Sequence, residues 1–157
     1  MFNLITELMR AEIIKATLAD IDELNKISVA SKMYWNYPDE WIEKWMNDLT
    51  LSEKDFPEQE IYKVANENEI IGFCAIKEND NAYEIMHLWI KPQFIGKGYG
   101  EVLIHESMKK IVTKTKPVIA ESDPNAEEFY AKQGFKKIGE RESYPKGRFL
   151  PVMRKDF

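Results

Sequence analysis

The stretch Gln93-Phe94-Ile95-Gly96-Lys97-Gly98-Tyr99-Gly100 decides how the fold of this chain is interpreted. An apolar segment, 85–90, precedes it and is closed by Lys91-Pro92, and apolar residues follow it at helical spacing over 102–108. This pattern predicts a strand, a glycine loop and a helix. Such an arrangement binds phosphates, because glycines let the backbone approach an anion and the first turn of the helix presents free N–H groups.

The spacing of the loop excludes three common nucleotide-binding loops. A P-loop requires Ser or Thr directly after its lysine, and Lys97 is followed by Gly98. The dinucleotide fingerprint and the kinase glycine loop both require a third glycine at position 101, where this chain has Glu101. A glycine-rich turn that only starts a helix remains as the alternative to a phosphate site.

A second motif lies in Asn125-Ala126-Glu127-Glu128-Phe129-Tyr130-Ala131-Lys132-Gln133-Gly134-Phe135. By itself it predicts a helix–glycine–strand corner, in which Gly134 supplies a left-handed cap. Together with Q-x-x-G-x-G-x-G, in this order and at this distance, it resembles the two signatures of the GNAT-type N-acetyltransferase superfamily. The resemblance covers about residues 12–156, with Gln93 in place of the commoner arginine.

The predicted elements form one domain, 12–157, behind an N-terminal extension, 1–11, for which the sequence predicts either a short extra helix or a disordered start. A strand at 13–16 is followed by a helix that Asp20 can cap and by a second helix after Pro38. Strands are expected at 60–65, 70–77, 82–90, 117–121, 135–142 and 149–155, with helices from the glycine loop to about Lys114 and from Pro124 to Gly134. This order predicts a mixed α/β fold. The resemblance implies the GNAT acyl-CoA N-acyltransferase fold, a central, mixed, mostly antiparallel twisted sheet flanked by helices.

Composition restricts the partners. A net charge of −5 and a pI of about 5.2 argue against nucleic-acid binding. No apolar span is long enough for a membrane helix, so we expect no membrane association. The single cysteine, Cys74, can form no disulfide within the chain, which favours a cytoplasmic location. Two histidines without a cysteine cluster predict no metal site.

The resemblance implies acetyl-coenzyme A as cosubstrate, without a metal. Its pyrophosphate would be held by backbone N–H groups of the loop and helix start, namely Ile95, Gly96, Lys97, Gly98, Tyr99, Gly100 and Glu101. The pantetheine arm would run beside Leu88, Trp89 and Ile90, where the sheet of such proteins splays and an N–H near Leu88 or Trp89 would polarise the thioester carbonyl. Asn125 matches the family's side-chain contact to the cofactor arm.

The catalytic assignments also follow from the resemblance. Tyr130 matches the tyrosine that protonates the leaving thiolate of coenzyme A. Glu84 is the candidate general base, with Glu121 as a replacement or as a relay through water, although Glu84 also fits a plain polar residue after a turn. His87 has a suitable intrinsic pKa, but a regular strand would point it away from Glu84 unless a bulge intervenes.

The aromatic cluster 33–41 is the expected acceptor wall. Tyr34, Trp35 and Tyr37 would face the acceptor on one side, with Tyr144 and Arg148 on the other. Acidic residues near the aromatic rings favour a cationic amine, whereas Arg148 suits a substrate carboxylate, and the sequence leaves both open.

The predicted function is therefore transfer of acetyl from acetyl-coenzyme A to a primary amine of a small molecule, by direct attack in a ternary complex. Two alternatives stay open: acetylation of a protein or peptide, and a non-catalytic acyl-coenzyme A sensor. Dimers are common among similar proteins, and we expect a homodimer on that ground.

Overall fold

The computed structural model describes residues 4–157, and the side chains of residues 6–157 within them. Seven strands form one sheet: β1 Glu12–Lys15, β2 Glu60–Ala65, β3 Ile70–Glu78, β4 Tyr83–Ile90, β5 Val118–Glu121, β6 Lys136–Ser143 and β7 Arg148–Lys155. The helices are α1 Leu4–Arg10, α2 Ile21–Met33, α3 Asp39–Leu49, α4 Asp55–Glu58, α5 Tyr99–Ile111 and α6 Glu127–Lys132.

The sheet has the order β1-β2-β3-β4-β5-β7-β6. Every neighbouring pair is antiparallel except β4 and β5, which are joined through α5 and run parallel. The predicted mixed, mostly antiparallel sheet flanked by helices is confirmed.

Helices cover both faces of the sheet. On β3, Cys74 and Ile76 pack with Leu103 of α5, whereas Phe73 and Ala75 pack in a separate cluster with α2. Because successive side chains of a strand point to opposite faces, α5 and α2 lie on opposite sides of the sheet. The paired part of β4 and β5 is apolar on one face only, where Tyr83, Ile85 and Val118 pack in the core cluster with α5, and its other face carries Glu84 and Ile119.

Helix α1 forms most of the predicted N-terminal extension. It lies against the glycine loop: a Cβ added to Gly98 would come within 3.2 Å of a methyl of Leu8, and Leu8 packs against the α5 core cluster. Of the two forms expected for 1–11, the described part is a helix, and residues 1–3 lie outside the described residues.

Two local predictions needed correction, and one short helix was unexpected. Helix α5 ends at Ile111 rather than near Lys114, since Val112 adopts extended angles just before two β-branched threonines and a proline. Asp20 precedes α2, but its carboxylate accepts from the Thr17 N–H at 2.9 Å and pairs with Lys63 instead of capping the helix. The four-residue helix α4 was not expected.

Candidate active site

The glycine loop between β4 and α5 has the geometry of an anion site. Gly96 and Gly98 have φ values of +81° and +92°, which favour glycine, and a Cβ at Gly96 would meet no atom within 4 Å. The Ile95 N–H, which was also expected to hold the pyrophosphate, donates instead to the Pro92 carbonyl at 3.2 Å. No described residue accepts a hydrogen bond from the N–H groups of residues 96–101. These N–H groups at the start of α5 are therefore available to an anion.

Gly100 serves a different purpose. A Cβ at this position would meet the ring of Phe129 at 3.3 Å and a side-chain atom of Ile90 at 3.9 Å. The third glycine therefore lets α5 begin close to α6 and to the end of β4. This contact joins the two sequence motifs in space.

The edge of β4 opens immediately before the loop. β4 pairs with β5 only at Tyr83, Glu84 and Ile85. The Lys91 N–H donates to the Ile71 carbonyl of β3 at 2.8 Å, so alternation places the Trp89 N–H toward β3 and the Leu88 N–H toward the open edge. Of the two N–H groups named from the sequence, only that of Leu88 faces the opening.

A cavity of about 520 Å³, called here the loop cavity, contains the glycine loop and this open edge. It is lined by most of the residues expected to hold the cofactor: Leu88, Trp89, Ile90, Ile95, Gly96, Gly98, Gly100, Glu101, Asn125 and Tyr130. Lys97 and Tyr99 are absent from its lining. The Tyr99 side chain is buried in the core, so only its backbone N–H faces an anion at the loop.

A second cavity of about 680 Å³, called here the acidic cavity, lies on the other side of the opening. Its lining contains five acidic and two basic side chains: Asp48, Asp55, Glu84, Glu121, Glu142, Lys44 and Arg141. The two cavities share Ile85, Met86, His87 and Glu121. They therefore meet where β4 and β5 separate.

A bulge in β4 places Glu84 and His87 on the same cavity. The register with β3 skips Met86, since His87 pairs with Ala75 and Ile85 pairs with Ile76. One extra residue reverses the alternation of side chains. Glu84 and His87 were expected to point to the same side only if a bulge lay between them. The structure contains such a bulge.

His87 is held as a neutral ring. Its Nδ1 accepts the indole N–H of Trp89 at 3.0 Å, and an indole nitrogen can only donate. Burial lowers the pKa of His87 to about 4, although Asp55 acts in the opposite direction. With Nδ1 occupied and the proton on Nε2, this imidazole has no free lone pair for a general base.

The two candidate carboxylates are held differently. Glu84 accepts one hydrogen bond, from the Asn79 amide at 2.8 Å, and Oε2 has no donor among the described residues. Glu121 is paired with the Arg141 guanidinium at 2.6 Å and lines both cavities. Both carboxylates are thus close to the opening between the strands.

Tyr130 reaches the loop cavity from α6. Its side chain is buried, and burial raises the pKa of its phenol, with a further contribution from Cys74. The phenol is therefore protonated at neutral pH and presents a donor to the cavity. Cys74 is itself fully buried and unreactive, because burial raises the pKa of its thiol to about 12.

The five residues expected at the acceptor occupy different places. Tyr144 lines the acidic cavity, and its carbonyl accepts the Trp45 indole N–H at 3.0 Å. Trp35 lines the loop cavity, and Tyr34 lines neither cavity and is exposed. Tyr37 and Arg148 lie in a buried polar cluster behind the cavities.

That cluster was missed by sequence reasoning. Lys32 of α2 and Arg148 of β7 both form ion pairs with Asp123, and each of the three side chains is 9–12% exposed. The Tyr37 hydroxyl donates to Asp123 at 3.1 Å. We name Lys32, Tyr37, Asp123 and Arg148 the Asp123 cluster. Asp123 also caps the turn that follows it, by accepting from the Asn125 N–H, and no local signal in the sequence linked it to Lys32, 91 positions away.

The described residues contain neither a metal-ligand cluster nor a membrane-spanning helix. Residues 4–157 contain no group of three histidine, cysteine or acidic side chains arranged to hold a metal ion. No described helix is long and apolar enough to cross a membrane.

Comparison with known proteins gives consistent matches. Residues 22–157 match the family described as Acetyltransferase (GNAT) domain. Spermidine N(1)-acetyltransferase of Thermoplasma acidophilum is 27% identical over 147 residues, which cover 82% of this chain and 89% of that protein.

Solved structures share the fold. PaiA N-acetyltransferase from Thermoplasma acidophilum, in complex with coenzyme A, has a TM-score of 0.72 and 22% identity, covering 94% of this chain and 99% of that chain. Arabidopsis thaliana Naa50, in complex with the bisubstrate analogue CoA-Ac-MVNAL, has a TM-score of 0.70 and 14% identity, covering 94% and 99%.

Proposed function

Because this chain belongs to the acetyltransferase (GNAT) family, we propose that it transfers the acetyl group of acetyl-coenzyme A to a primary amine of a small cationic molecule, within a ternary complex. The observation that carries the proposal is the meeting of two unlike cavities at the open edge of β4. One cavity offers backbone N–H groups for an anion, and the other is lined mainly by carboxylates.

The loop cavity fits coenzyme A. Gly96 leaves room at the loop, and the N–H groups of residues 96–101 have no acceptor among the described residues. The start of α5 adds its dipole, which favours a pyrophosphate. The Leu88 N–H lies at the open edge of β4, where it would donate to the carbonyl of the bound thioester. Acetyl-coenzyme A supplies an activated acetyl group there.

The acidic cavity favours an acceptor with more than one positive charge. Its five carboxylates outnumber Lys44 and Arg141, and these partly enclosed charges attract a polycation more strongly than they would in open water. The relative named for spermidine acetylation points to the same class of acceptor. We therefore propose a polyamine of the spermidine type. Arg148 is not free to bind the carboxylate of a substrate, because its guanidinium is already paired with Asp123.

Proton transfer is assigned to residues at the opening. An alkylammonium must lose a proton before its nitrogen can attack, and Glu84 would receive it at Oε2, with Glu121 as the neighbouring carboxylate. When the C–N bond forms and the C–S bond breaks, Tyr130 would donate a hydrogen bond or proton to the departing sulfur. A phenol kept neutral by burial suits this task.

The test is thiol release from acetyl-coenzyme A with a panel of acceptors: spermidine, n-butylamine, glutamate and a short peptide with a free N-terminus. We expect kcat/KM to be highest for spermidine and lower for n-butylamine, with glutamate the poorest because its carboxylates meet a negative cavity. A preference for the peptide would favour protein acetylation. Binding of acetyl-coenzyme A without thiol release on any amine would favour the sensor.

A further inference from the structure

The Asp123 cluster lies next to Asn125, the side chain that the resemblance to GNAT proteins places against the pantetheine arm of coenzyme A. The Asn125 backbone N–H donates to Oδ1 of Asp123 at 2.8 Å, and the Asn125 side-chain NH2 donates to the Tyr37 hydroxyl at 3.1 Å. Asn125 and Asp123 both line the loop cavity, in the segment that follows β5, whereas Tyr37, in the α2–α3 loop, lies outside its lining. Both the backbone and the side chain of Asn125 are thus held by one buried cluster.

The charges of the cluster fix the direction of its hydrogen bonds. Lys32 and Arg148 both contact Asp123. Burial opposes ionisation of Asp123, but these cations and the hydrogen bonds it accepts hold its pKa below the ordinary value. Asp123 is therefore a carboxylate, which can only accept.

The hydroxyl of Tyr37 has one hydrogen, which must go to this carboxylate. Its lone pairs then accept from Arg148, at 3.3 Å, and from Asn125. If the Asn125 amide were turned the other way, its Oδ1 would face the lone pairs of the Tyr37 hydroxyl, and two acceptors repel each other. The NH2 group must face Tyr37, and Oδ1 keeps no donor among the described residues.

We infer that Tyr37 and Asp123 are positioning residues that set the orientation of the Asn125 amide, so that its carbonyl oxygen accepts a hydrogen bond from an amide N–H of the coenzyme A arm. The inference rests on the proposed function, because it requires that the loop cavity binds coenzyme A. The aromatic setting supports a fixed role: the Tyr37 ring packs at 5.0 Å from Trp45, and Arg148 lies 4.5 Å above the Trp45 ring. The hydroxyl that directs Asn125 therefore has little freedom to turn away.

Tyr37→Phe is the suitable variant, because it keeps the ring packing and removes only the directing hydroxyl. Titration calorimetry would measure the binding of two ligands, coenzyme A and adenosine 3′,5′-bisphosphate, to the wild type, Tyr37→Phe, Asn125→Ala and the double variant. The second ligand lacks the pantetheine arm and so reports on binding of the nucleotide end of coenzyme A without it. A purely structural effect would weaken both ligands.

We expect Tyr37→Phe to weaken coenzyme A binding about tenfold, the loss of one directed hydrogen bond. Adenosine 3′,5′-bisphosphate should bind all four proteins equally, and the double variant should be no worse than Asn125→Ala. The inference is overturned if Tyr37→Phe leaves coenzyme A affinity unchanged, if it weakens both ligands alike, or if the two substitutions act independently. Should Tyr37→Phe fail to fold, Asn125→Ala alone decides: equal binding of coenzyme A by it and the wild type contradicts the inference.

The outcomes also separate this inference from the proposed function. A wild-type protein that binds no coenzyme A overturns both. A wild type that binds coenzyme A and releases thiol, together with an unaffected Tyr37→Phe variant, overturns only the positioning role.

Discussion

The loop cavity and the acidic cavity are adjacent but are built in different ways. About half of the lining of the loop cavity comes from one continuous segment, β4 through the start of α5, and its proposed ligand contacts are largely backbone groups. The acidic cavity draws side chains from α3, α4, β4, β5 and the β6–β7 hairpin. A site made of backbone groups depends on local chain conformation, whereas a site made of side chains depends on the fold that brings distant segments together. Substitutions should therefore affect ligand binding in the two cavities separately.

Substitutions in the Asp123 cluster should lower the stability of the protein more than substitutions elsewhere. Replacing Asp123 with alanine leaves Lys32 and Arg148 buried without their carboxylate. We expect the free energy of unfolding to fall by about 3–5 kcal/mol, the usual cost of breaking a buried ion pair. Denaturant titration measures this loss. As a control, Asp156→Ala breaks an exposed pair with Arg154 and should cost about 0–1 kcal/mol. Equal losses for the two variants would contradict the importance given to the cluster.

On the loop side, Tyr130→Phe should lower kcat about 100-fold, at the low end of general acid catalysis. The affinity for acetyl-coenzyme A should change much less, because the ring remains packed against Phe129 and Phe135. Steady-state kinetics with saturating amine would measure both quantities. Tyr83→Phe removes a hydroxyl from another buried tyrosine of the same core cluster and should leave kcat unchanged. An unaltered kcat in Tyr130→Phe would remove Tyr130 from the mechanism.

At the acidic cavity, burial of His87 should lower the free energy of unfolding as the pH falls into the mildly acidic range. Its folded pKa of about 4 lies below the ordinary value of 6.5, so the unfolded chain binds the proton first. The stability that the neutral His87 ring contributes is fully present above pH 6.5. Between about pH 6.5 and 4, the free energy of unfolding falls by up to about 1.4 kcal/mol per pH unit.

The matched variant is His87→Gln, whose amide oxygen can still accept the Trp89 indole N–H. Unfolding measured at several pH values should show a shallower dependence in this variant. An unchanged slope between pH 6.5 and 4 would show that His87 is not the buried neutral group described.

The glycine loop should respond to a single methyl group. Gly96→Ala places a side chain at φ +81°, which costs about 1–2 kcal/mol and shifts the loop away from its anion-binding conformation. We expect about tenfold weaker binding of acetyl-coenzyme A, measured by calorimetry. Gly139→Ala adds a methyl group in similarly open space but at an ordinary φ, and should leave the affinity unchanged. Equal affinities in both variants would argue that the loop does not contact the cofactor.

The smallest effect is expected in the acidic cavity. Asp48→Asn removes one of five carboxylates, and the KM for spermidine should rise about two- to fivefold, as expected for one partly screened charge. Asp22→Asn makes the same change on α2, outside both cavities, and should not alter this KM. The effect of Asp48→Asn should also shrink at high salt. A KM independent of Asp48 at low salt would place the amine elsewhere.

Sequence reasoning succeeded where the determinants were local. The glycines at 96 and 98, the turn residues and the alternating strands predicted the sheet, its crossover and a phosphate loop, whereas the cofactor residues were assigned from the family resemblance. The bulge at Met86 was foreseen only as a condition, since nothing in the sequence marks which residue the ladder skips. Without it, the shared orientation of Glu84 and His87 was not predictable.

The acceptor side was harder for a physical reason. Aromatic residues at 34–37 look alike in sequence whether they line a cavity, lie exposed or support a buried charge. Tyr37 became part of the Asp123 cluster because Lys32, Asp123 and Arg148 converge on it from three segments. Such convergence is a property of the tertiary structure.

The account is tested most directly by measuring both Michaelis constants, for acetyl-coenzyme A and for spermidine, in Gly96→Ala and Asp48→Asn. It predicts a crossed pattern: Gly96→Ala raises the KM for acetyl-coenzyme A and leaves that for spermidine, and Asp48→Asn does the reverse. If each variant raises both constants equally, the two cavities do not bind separate substrates and the account is wrong.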